Sequence, residues 1–234
     1  MTGTASASAR RITDALLEEC GRTYAAEAGI RLRDTPQPLY QLLVLSHLLS
    51  ARIRASVAVA AARALFAHGM RTPRRMADAT WQQRVDALGE GGYRRYDERT
   101  STQLGEGARL VLDVWKGDLR RLRAEADGDT EALRAEADGD TEALRAGLRR
   151  VQGIGPAGAD IFVREVQAVW PETGFWVGAK GLQGAERLGL PTSTGRLADM
   201  ARDRDRAAFA AALVRAALDR ETAETVREAA LARP

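Results

Sequence analysis

A chain of 234 residues with 45% hydrophobic and 5% aromatic content is long enough to bury a core in one or two lobes and is expected to be globular. Its net charge of +3 rests on 35 basic residues, of which only Lys116 and Lys180 are lysines, so nearly all the positive charge is guanidinium, the group that forks onto phosphates. A lone Cys20 excludes a disulfide framework and any four-cysteine metal or iron–sulfur cluster, and His47 and His68 stand in unrelated contexts that read as helix-surface or core positions rather than metal ligands.

The opening "MTGTASASARR" is small and polar with no apolar stretch behind it, so residues 1–9 read as a flexible arm rather than a targeting signal. The most apolar run, "LYQLLVLSHLL" at 39–49, is only eleven residues long and leads into Arg52 and Arg54. That length suits a buried helix and not a membrane span, and a cytoplasmic protein is the expectation. Apolar residues recur at helical spacing in 39–67, 104–116, 159–170 and 207–218, with no sustained alternation of period two. Thr72-Pro73 starts a helix, Gly91-Gly92 breaks the chain, and "GLPTSTG" at 189–195 separates a final pair of helices. The expected fold is all-α.

The segment "LRAEADGDTEA" occurs twice in succession, at 122–132 and 133–143. Each copy carries Asp-Gly-Asp, which suits a helix end followed by an N-cap; the glycine at position six and the distal glutamate of a calcium loop are missing. Two copies make a short extra helix rather than a solenoid.

The stretch "VQGIGPAGADIF" at 151–162 brackets Ile154 with Gly153 and Gly155, adds Pro156, and opens an apolar helix. Glycine can take backbone angles closed to other residues and leaves bare N–H groups, while proline is pre-set for a first helical turn. An anion can sit against such a turn.

Extended to "LRRVQGIGPAGADIFVREVQAVWPETGFWVGAKGLQGAERLGLP", this region resembles the helix-hairpin-helix and following segment of the endonuclease III type DNA glycosylases. "LLSARIRAS" at 48–56, "RTPRRMADA" at 71–79 and "LGEGGYRRYDERTSTQLGEGARLV" at 88–111 follow the same family's order, so the likeness covers about residues 36–200. It implies a two-lobed fold, with 36–170 as a helical barrel carrying the hairpin at 149–170, and 10–35 plus 171–234 as the second lobe across a DNA cleft. It also implies a monomer that binds damaged or abasic double-stranded DNA in base excision repair. The hairpin residues Gly153, Gly155, Ala157 and Gly158 would take a phosphate, with a monovalent cation on the carbonyls of Arg149, Val151 and Ile154 as the one bound group. Arg52, with Arg54 nearby, would fill the gap left by a displaced base and reach phosphate or base edges, and Tyr93 with Arg94 and Arg95 would supply a wedge and phosphate contacts.

The resemblance fails at the catalytic positions. Ala157 stands where lyase members carry lysine, and Gly178 where active members carry aspartate. Asp160, Glu172 and Lys180 are the remaining catalytic candidates, so base release is expected to be weak or lost. A non-catalytic lesion binder is the alternative within DNA binding; an α-helical interaction scaffold, with the glycines serving only a tight turn, is the alternative outside it.

Overall fold

Helix α3 (Pro36–Leu49) begins where Pro36 occupies the first helical turn and is buried without a break from Leu39 to Leu48. A helix apolar on every face has no solvent side and must be enclosed. In the computed structural model, which describes residues 2–129 and 139–233, α3 is the central helix of one of two compact units, Ala25–Val169. The other unit joins the two ends of the chain, Met1–Tyr24 and Trp170–Pro234. All regular structure among the described residues is helical.

In the central unit α3 packs against α4 (Ala55–Ala67) and α10 (Pro156–Val166), and α4 against α6 (Trp81–Glu90). The run expected over 39–67 is two helices, because Ser50 turns its hydroxyl back to His47 O at 2.7 Å and ends α3 before "ARIR". Thr72 caps α5 (Pro73–Asp78) ahead of Pro73, and Thr80 with Gln83 forms a capping box on α6. Gly91 and Gly92 end α6; a Cβ at Gly91 would stand 2.3 Å from Ala61 Cα, so this break is also a close approach to α4.

Helix α7 (Asp97–Trp115) lies against α5 and α6, and one buried guanidinium ties the three together. Arg84 donates to Ser101 O at 2.8 Å, Met76 O at 3.0 Å and Ala79 O at 2.6 Å, which satisfies a charge that burial would otherwise penalise. Gly105 admits it, since a Cβ there would stand 2.7 Å from Arg84 Nη2. α8 (Arg120–Asp129) and α9 (Gly139–Leu148) follow. The junction of the duplicated segment, residues 130–138, lies outside the described residues.

The terminal unit is built round α13 (Arg206–Leu218), whose alanine-rich sequence is buried from Ala207 to Val214 and again at Ala216 and Ala217. α1 (Thr2–Cys20), α11 (Gly178–Arg187) and α14 (Arg220–Leu231) pack on it. Residues 2–9, expected within an arm, open α1: alanine alternates with serine there and carries high helix propensity, and Ala9 and Ile12 pack against the core of the unit. Beyond residue 195 there are three helices where the expected pair needed one. α12 (Thr194–Met200) precedes α13, and Asp205 and Asp219 cap α13 and α14 separately. Residues 25–35, expected with the chain ends, fall in the central unit, where Ala25 N–H donates to the fully buried Glu165 carboxylate at 2.9 Å.

Candidate functional site

The chain between α9 and α10 makes a tight turn in which Ile154 N–H donates to Val151 O at 3.0 Å. Gly153 follows a left-handed path at φ +85, and a Cβ on it would lie 2.4 Å from His47 Cε1, 2.5 Å from His47 Nε2 and 2.9 Å from Gln103 Oε1. Glycine is therefore required twice there, by conformation and by contact. Gly155 differs. Its backbone is extended, at φ −91 and ψ −173, and a Cβ would meet nothing within 4 Å. Among the described residues no contact accounts for glycine at 155.

Pro156 then opens α10. Ala157 and Gly158 present N–H groups in the first turn, where no partner exists within the helix. Gly158 is buried, and a Cβ on it would stand 3.6 Å from Ser50 Cβ, an ordinary contact that places the hairpin beside the end of α3. Val151 O, one of the carbonyls expected to hold a cation, accepts the Ile154 N–H and keeps one lone pair for a ligand.

Beside the hairpin is an open cavity of about 690 Å³. The end of α3 contributes His47 and Ser50; the loop after it contributes Arg52. The Gly92 loop and α7 add Tyr93, Tyr96, Arg99, Thr100 and Gln103, and the hairpin itself supplies Arg149 to Gly155 except Arg150. Among the described residues three arginines line it and no carboxylate does. Among the described residues neither Arg52 nor Arg99 is ion-paired, while Arg149 reaches Glu142 at 3.3 Å. Uncompensated guanidinium groups around a concave surface focus a positive potential into it.

His47 forms part of the cavity wall without adding charge. Its Nε2 is 3.2 Å from Gln103 Oε1, within hydrogen-bond reach. Burial pushes its pKa down to about 4; the Gln103 hydrogen bond opposes that shift and the nearby Arg99 charge adds to it. The imidazole is thus neutral at pH 7, a polar but uncharged surface beneath Gly153.

The cavity gathers some of the residues singled out in the sequence. Arg52, Tyr93, Arg149, Val151, Gly153, Ile154 and Gly155 line it. Arg54, Arg94 and Arg95 are exposed outside its lining. Tyr93 is no projecting wedge: it is 2% exposed, burial raises its pKa, and Thr100 Oγ1 lies 3.5 Å from its hydroxyl. The aromatic ring with an exposed part is Tyr96, and Arg95 stands over it at 5.2 Å from the centroid.

The catalytic candidates do not line the cavity. Asp160 is held by Arg145, which donates from Nε at 2.8 Å and stands 2.7 Å away through Nη2. Glu172 lies on a short 3-10 turn, Pro171–Thr173, and Lys180 on α11 donates to Gln183 Oε1 at 3.0 Å; both belong to the terminal unit. Gly178 has φ +66. Among the described residues no group of three His, Cys, Asp or Glu side chains is placed to hold a metal ion.

Sequence reasoning missed Tyr96, Arg99, Gln103 and the part His47 plays. The α7 residues were recoverable as a set, since 96, 99, 100 and 103 share one helical face. Comparison of the chain with family models, with curated proteins and with solved structures finds no match.

Proposed function

We propose that this protein binds damaged or abasic double-stranded DNA through the hairpin and the arginine-lined cavity of its central unit, with base release weak or lost. The observation that carries the reading is the cavity itself: Arg52, Arg99 and Arg149 come from three separate elements to one surface, the first two with no ion pair among the described residues, beside a turn where a Cβ on Gly155 would meet nothing within 4 Å. Guanidinium forks and bare N–H groups together suit phosphate oxygens. The order of motifs resembling the endonuclease III type glycosylases supports DNA over other polyanions.

The direct test is binding of a fluorescent duplex across a salt series, with and without an abasic site. Affinity should fall linearly with log salt, at a slope of about −0.9 per phosphate contacted. Arg52→Ala should weaken binding by about tenfold on the abasic duplex and about twofold on the intact one, because a gap-filling side chain acts only where a base is missing. Equal losses would make Arg52 an ordinary phosphate contact, and a flat salt response would remove DNA altogether.

For catalysis, the reading rests on what the chain lacks. Borohydride should trap no covalent complex at Ala157, which has no amine. Gly178→Asp restores the carboxylate at the position where the resemblance puts one, and should raise single-turnover release of a damaged base by about tenfold or more. The gain is tempered by φ +66 at this position, a conformation aspartate tolerates at a cost of about 1–2 kcal/mol. Fast release by the unmodified chain that survived loss of Asp160, Glu172 and Lys180 would contradict this account.

A further inference from the structure

We propose that the arginine cavity seats the phosphate-monoester end of a DNA strand, as found at a nick or gap, and does not merely follow internal phosphodiesters. The inference rests on the DNA-binding reading above and narrows it to a ligand class.

Charge is the first argument. An internal phosphodiester carries one negative charge, whereas a terminal phosphate carries about −1.5 to −2 at pH 7 and offers three acceptor oxygens. Arg52, Arg99 and Arg149 line one cavity from the loop after α3, from α7 and from the hairpin; Arg149 reaches Glu142 at 3.3 Å, and among the described residues no carboxylate lines the cavity itself. Neither Arg52 nor Arg99 is ion-paired among the described residues. The two guanidinium groups without an ion pair favour an anion on this concave surface, and a dianion gains more from them than a monoanion does.

Shape is the second. A duplex backbone is a convex ridge, best followed by a groove. The cavity instead has a volume of about 690 Å³, within the range of roughly 300–1,000 Å³ that encloses a small ligand, so a terminal nucleotide fits with its phosphate. The walls suit that occupant. Tyr96 has a partly exposed ring for a base or sugar, and the His47–Gln103 pair is a polar surface that adds no charge of its own. Gly153 rests directly on the imidazole, which fixes the depth of the wall beneath the hairpin.

The test uses the full chain and one-nucleotide-gapped duplexes that differ only at the gap: 5′-phosphate, 3′-phosphate, or hydroxyl at both ends, with an uninterrupted duplex alongside. Anisotropy should show one phosphate-bearing gap bound about tenfold tighter than the hydroxyl gap, and the arm that shows it identifies the strand end. Arg99→Ala should bring the phosphate and hydroxyl gaps to the same affinity. Its melting temperature is measured in parallel, and the comparison of ends in the unmodified chain stands without it. Equal affinity for phosphate and hydroxyl gaps, with duplex binding intact, overturns this proposal and leaves the DNA-binding reading standing. No salt-sensitive binding to any of the four overturns both.

Discussion

Gly155→Val should cost DNA affinity and leave stability almost unchanged, whereas Gly153→Val should cost both. At Gly155 the backbone is extended and the space around a Cβ is empty, so valine fits the chain itself; as a poorer N-cap it loses no more than about 1 kcal/mol. If a phosphate approaches the N–H groups of this turn, the isopropyl group stands in its way and binding falls by more than about tenfold. At Gly153 a β-branched residue meets two penalties. The left-handed conformation costs about 1–2 kcal/mol, and overlap with the buried His47 ring at 2.4–2.5 Å adds about 1–3 kcal/mol. Urea unfolding and DNA anisotropy on the two variants separate these effects. Wild-type binding by Gly155→Val would remove the hairpin from the DNA contact.

Gly184→Ala is expected to be the most destabilising single methyl in the molecule. A Cβ at Gly184 would stand 1.8 Å from Leu213 O, 2.7 Å from Leu213 C and 3.2 Å from Ala217 N. These are backbone atoms of a helix, so no rotamer change relieves the overlap, and α11 must lift away from α13. The cost should be about 3 kcal/mol or more, beyond the usual range for one added carbon. Gly195→Ala is the control: it lies in α12 with nothing within 4 Å of its Cβ position, so alanine should be neutral or stabilising by up to about 1 kcal/mol. A Gly184→Ala protein that unfolds at the wild-type urea midpoint would show that the helices are not in backbone contact.

Much of the fold was legible because its signals are local. Helical spacing, Thr72-Pro73 and the Gly91-Gly92 break each act within a few residues and appear where the sequence put them. The glycine-proline turn did too, but its reason was only half visible: the left-handed Gly153 follows from sequence logic, while its contact with His47 joins residues more than a hundred positions apart. Packing between helices also hid Arg145 on α9, which engages Asp160 on α10 and removes it from the free carboxylates, and the burial of Tyr93, whose neighbours Arg94 and Arg95 are exposed. At the start of the chain, composition and helix propensity point different ways. Small and polar composition suggested an arm, but alanine favours helix whenever a core is near enough for Ala9 and Ile12 to pack on.

Arg84 reaches beyond the helices it joins. Because its guanidinium holds carbonyls from α5, the loop before α6 and α7 at once, no one of these segments can shift without abandoning a buried charge. The face of α7 bearing Tyr96, Arg99, Thr100 and Gln103 starts within the turn that Arg84 grips at Ser101. That wall of the cavity is consequently preorganised: its backbone entropy is surrendered when the protein folds, not when a ligand arrives, and more of each contact's free energy remains to appear as affinity.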